Sequence, residues 1–188
     1  MRNLRLILCI YPPIWPFQLF PPLNIGQGRA NCAMMTNKPA SGVLTQHPLP
    51  HSTVPPAIII QGIEDLRAAL KAAASLYRSL TVLSIPGAAG SAGAPWFHAL
   101  IRTGSAEFPK VPLTGVLDCA DQPGLALAAL RTSCRDLLLL DSSPAWPRVH
   151  AIAEAAGARL YGSPGPRFNP RFFRDPIAAC REWLAVNP

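Results

Sequence analysis

Charge and aromatic rings are both scarce in this sequence: 14% of its 188 residues are charged and 7% are aromatic. Low charge with 49% hydrophobic residues excludes a chain that stays unfolded by self-repulsion, and leaves enough apolar surface for a core. Acidic residues are missing altogether from the first 56 positions, which hold four Lys or Arg. The net charge of +7 therefore belongs mostly to the ends, because residues 57–162 carry nine basic and eight acidic side chains. A groove that tracks nucleic-acid phosphates needs its cations on the folded surface. The near-neutral middle argues against nucleic acid as a partner.

Paired cysteine motifs are also lacking. The five cysteines, Cys9, Cys32, Cys119, Cys134 and Cys180, are odd in number and never spaced C-x-x-C, and the four histidines are scattered. That excludes a disulfide framework and a closed zinc site. Cys119 and Cys134 fall in or beside apolar segments, where a free thiol acts as a small core residue. A reducing, cytoplasmic location is expected.

No apolar run approaches the roughly 20 residues a membrane-spanning helix needs. The opening "MRNLRLILCIYPPIWPFQLFPPL" has the basic start of an export signal, but Pro12, Pro13, Pro16, Pro21 and Pro22 interrupt it. Proline at that density removes backbone donors and breaks a helix. The "ANCA" at Ala30–Ala33 resembles a signal-peptidase site, so export through the first 33 residues is the alternative; translation starting at Met34 or Met35 is another. Residues 1–56 hold ten of the 22 prolines and read as a disordered leader, its last part, 36–56, a linker.

From Ala57 onward the pattern becomes regular, and residues 57–188 read as one domain. Short apolar runs at 57–60, 81–85, 114–119, 136–141 and 158–162 alternate with segments of helical periodicity, the last helix spanning 175–186. The runs are continuously apolar, as in strands covered on both faces. Alternation of this kind predicts an α/β fold: a small, open, mostly parallel five-stranded sheet with helices on both faces, a Rossmann-like three-layer sandwich. Five units are too few for an eight-unit barrel.

Ligands of open parallel sheets bind beyond the carboxyl ends of the strands. After the second run, "PGAAGSAGAP" brings Gly87, Gly90, Ser91 and Gly93 to the start of a helix that has no carboxylate of its own. Bare helix amides there would suit an anion or phosphate. The stretch matches neither the G-x-x-x-x-G-K-[ST] phosphate loop nor the G-x-G-x-x-G fingerprint, and a flexible corner is the plainer reading. Asp118 ends the third run with Asp121 close behind it, and Asp141 ends the fourth. Asp118 and Asp121 could serve as acid and base, or Asp118 and Asp141 could gather a magnesium ion. Otherwise Asp121 and Asp141 cap helices, and Asp118 bonds a neighbouring loop. His98 could reach a ligand held at the glycine loop. No Ser-His-Asp order and no cofactor motif is legible. The stretch "GSPGPRFNPRFFR" mixes Arg167, Arg171 and Arg174 with three phenylalanines, as expected of rings stapling a loop while guanidinium groups stay in water. Two functions follow: a non-catalytic module for an anionic small molecule or protein partner, or an enzyme on a phosphorylated substrate.

Overall fold

The computed structural model describes residues 52–187. The leader and its signal-like opening, residues 1–51, lie outside the described residues. Strands and helices alternate as β1 (Ala57–Ile60), α1 (Ile63–Ser75), β2 (Leu80–Ser84), α2 (Ala88–Ser91), α3 (Ala94–Glu107), β3 (Leu113–Asp118) and α4 (Pro123–Arg131). They continue as β4 (Asp136–Leu138), α5 (Trp146–Ala155), β5 (Arg159–Tyr161), β6 (Arg167–Phe168) and α6 (Pro176–Val186). The fold is α/β, and its sheet is parallel at every pairing, in the order β5-β4-β3-β2-β1-β6. The sheet has six strands where five were expected, because the stapled loop contributes β6. There Phe168 stacks on Trp183 with ring centroids 5.9 Å apart and meets Phe173 at 5.1 Å, while Arg167, Arg171 and Arg174 are exposed.

Local chemistry explains the element ends. Asp175 caps α6 by accepting from the amides of Ile177 and Ala178. Gly157, at φ +65°, turns the chain out of α5. Asp121 and Asp141 do not act as the expected caps: α4 starts from Gln122 and α5 from Ala145, neither with a side-chain cap.

Alternate strand residues face opposite ways. On one face Ile58, Ile60, Leu80, Val82, Leu117, Leu137, Leu139 and Leu160 join residues from all six helices in a single buried cluster. On the other, Val54, Ala57, Leu83, Val116, Leu138 and Tyr161 form a second cluster that no helical residue joins. Helices on both faces is the part of the expectation that burial refines. The second face is buried around Val54, which comes from the segment before β1. Residues 52–54, assigned to the linker by composition, pair with the chain that follows β5. Thr53 pairs with Ser163 in parallel, Val54 N–H donates to Ser163 O at 2.9 Å, and Gly162 N–H donates to Ser52 O at 2.9 Å. Farther along, Ala57 pairs with Arg167 and Ile58 with Phe168 in the same register. Residues 162–168 thus continue β5 on one side and lie beside residues 52–58 on the other, which brings the two ends of the sheet together.

Candidate functional site

The carboxyl ends of β2 and β3 meet through Asp118. Its Oδ1 accepts from Gly87 N–H at 3.0 Å and from Ala120 N–H at 2.7 Å, and its own amide donates to the Ser84 hydroxyl at 2.9 Å. Asp118 is 5% exposed and Ser84 is buried. The chain turns into this arrangement because Gly87 adopts φ +68°, a left-handed conformation open to glycine. Ala120 makes the matching turn at φ +51°. The sequence does place the glycine loop beside Asp118, but the two satisfy each other. Ser84 was not singled out; its only signal was a hydroxyl at the end of an apolar run.

The rest of the glycine loop folds inward as well. It forms the single turn α2, in which the amides of Gly90 and Ser91 donate to Gly87 O, and those of Ala92 and Gly93 to Ala88 O. Gly90 lies so close to α4 that a Cβ there would stand 3.2 Å from a Leu125 methyl. Gly93 precedes α3 at φ +85° with no side-chain cap. Asp121 and Asp141 are exposed. Among the described residues no group of three or more His, Cys, Asp or Glu side chains that could hold a metal ion comes together.

No family model matches the chain, and no curated protein does. A solved structure assigned as a fructose-1,6-biphosphate aldolase of Coccidioides immitis aligns with 22% identity and a TM-score of 0.45. The alignment covers 58% of this chain and 46% of that one, so this chain spans less than half the length of that protein. An overlap of that quality carries no argument about function.

A second hollow opens at the amino ends of the strands. Residues Leu113–Val116 of β3 pair with β2, but β3 meets β4 only at Leu117 and Asp118. The first three residues of β3, Leu113–Gly115, therefore have no strand on their other side among the described residues. Helix α3 roofs the gap. Gly115 permits the close approach, since a Cβ there would stand 2.5 Å from the end of the Ile101 side chain. The result is a cleft of about 380 Å³. It contains His98, which sequence reasoning had directed toward the glycine loop. Asp136, at the start of β4, accepts from Arg159 Nε at 2.6 Å and from the Tyr161 hydroxyl at 3.4 Å. That hydrogen bond raises the Arg159 pKa, and burial raises the Tyr161 pKa, with the Asp136 charge adding to it.

Proposed function

We propose that the chain is a non-catalytic α/β binding module for an anionic small molecule or a protein partner. The observation that supports this reading is the Asp118 carboxylate. A general acid, base or metal ligand needs its oxygens directed at a substrate. Here Oδ1 is held between the amides of Gly87 and Ala120 in a nearly buried position. The amides of Gly90, Ser91 and Gly93, which a phosphate would need, are spent within α2. A phosphate enzyme that used Asp118 Oδ1 or these loop amides would have to break these bonds first. A cytoplasmic location accords with buried free thiols at Cys119, Cys134 and Cys180. Among the described residues, no helix is long and apolar enough to cross a membrane.

The test uses the full chain in thermal-shift measurements against nucleotides, sugar phosphates and divalent metals, with parallel assays for phosphate release. The expected result is a shift without turnover, retained in both Asp118→Asn and Gly90→Asp. Turnover that disappears in Asp118→Asn would restore the enzyme reading. A shift that disappears in Gly90→Asp would return the anion to the glycine loop.

A further inference from the structure

We infer that the cleft between β3, β4 and α3 is a binding site for a compact organic anion, with an apolar body and one carboxylate or similar head. This rests on the binding-module reading and gives it a location and a ligand class. The cleft exists because two neighbouring strands stop pairing, so it is part of the sheet's architecture. Its volume of about 380 Å³ lies within the range of small-molecule pockets. Phe97, Ile101 and Leu113 supply an apolar wall. Opposite it stand Arg135, Asp136 and Arg159, two cations against one anion.

The guanidinium groups are positioned but not saturated. Arg159 gives Nε to Asp136, and Arg135 gives one terminal nitrogen to Ala156 O at 2.7 Å. Each guanidinium has five N–H donors, so both keep donors for an incoming carboxylate. Asp136 neutralises one cation and holds it in place, which leaves one positive charge in surplus at the mouth. Along the floor, Leu113–Gly115 precede the β3–β4 ladder, so their backbone groups on that side have no strand partner among the described residues. They can meet the polar edge of a flat ligand. A location at the amino ends of the strands departs from the usual rim of parallel sheets. At the usual rim, Asp118 Oδ1 ties the turns after β2 and β3 together.

The probe is 4-fluorobenzoate, followed by fluorine NMR line broadening on the full chain, with 4-fluorobenzamide as its neutral counterpart. Benzoate should bind at least about tenfold more tightly than benzamide. Exposed Arg135 allows a charge reversal with little risk to folding: Arg135→Glu should weaken benzoate about tenfold or more, and Arg135→Lys should retain most binding. His98→Trp fills the cleft from α3 and should abolish broadening. The inference is overturned if benzoate does not broaden, if benzamide binds equally well, or if Arg135→Glu or His98→Trp binds like the natural chain. Phosphate release in the preceding assays would defeat the non-catalytic reading, and loss of benzoate binding would defeat the location, so the two failures are read separately.

Discussion

Ser84 and Asp118 show how much a residue's neighbours decide. In sequence, a carboxylate at a strand end beside a glycine loop has the look of chemistry. In space, Asp118 braces two turns, and the hydroxyl that fixes its own amide comes from a strand 34 residues earlier. The position of Asp118 at the end of β3 was legible from the apolar run before it. Its occupation was not, because it depends on a left-handed turn at Ala120, where a short non-glycine residue gives no warning. The thiols are the opposite case. Cys119 and Cys134 read as core residues and are buried; Cys180, not singled out from sequence, is fully buried like Cys119. Burial pushes the Cys119 and Cys180 thiols up to about 12, with the charges of Asp118 and Asp65 respectively adding to the effect. The native state therefore resists ionising them, while an unfolded chain ionises them near the ordinary value of 9.0. Their contribution to stability is complete below that value and is lost as pH rises toward about 12. Thermal melts should fall across that window, more steeply than in a Cys119→Ala, Cys180→Ala double variant. Mass spectrometry after iodoacetamide treatment at neutral pH should find both thiols unmodified in the native chain.

Helices and strands were legible wherever their hydrophobic period was long. The strands were visible as apolar runs, and α1 as a face of Ile63, Leu66, Leu70, Ala73 and Tyr77, although Tyr77 falls past the end of α1 and is exposed. Short pieces were not legible: α2 is one turn of alanine and glycine, and β6 has two residues. Neither is long enough to carry a period. The cleft was hidden for a related reason, since it depends on where β3 and β4 stop pairing, and no local signal encodes that. Contacts between elements were equally invisible. Arg67 on α1 bonds Glu107 at the end of α3 through two nitrogens, at 2.8 and 2.6 Å, and also bonds Glu64. The hydrogen bond from Arg67 lowers the Glu107 pKa below its ordinary 4.5. Because the folded value is the lower one, this contribution to stability is present above the ordinary value. It fades as pH falls through the depressed one. Comparing the natural chain with Glu107→Gln should give melting temperatures that differ slightly at neutral pH and converge on acidification. A gap that persists in acid would mean that the pair is not what joins α1 to α3.

Considered whole, the molecule depends on the place where its sheet meets itself. The α/β class and the parallel sheet were evident from alternation alone. The pairing of residues 52–54 with the chain after β5 was not, because the prolines and small polar side chains of 52–56 read as linker. Gly165 stands at that junction with φ +61°, and a Cβ there would lie 2.1 Å from the Val54 carbonyl oxygen. Backbone cannot retreat as a side-chain tip can. Gly165→Ala should therefore lower stability by about 1–3 kcal/mol in denaturant titrations. Gly62→Ala, where nothing lies within 4 Å, should change it much less. Equal effects would show that the junction is not held tightly.

The same junction governs when the chain can fold. Thr53 waits for Ser163 and Ala57 for Arg167, partners separated by 110 positions. On a ribosome the first strand emerges long before its companion has been made, and closing so large a loop is slow. Until the last segment arrives, Ala57 and its neighbours have one side unguarded, so synthesis of this domain passes through an interval in which a chaperone, or a second nascent copy, competes for that edge.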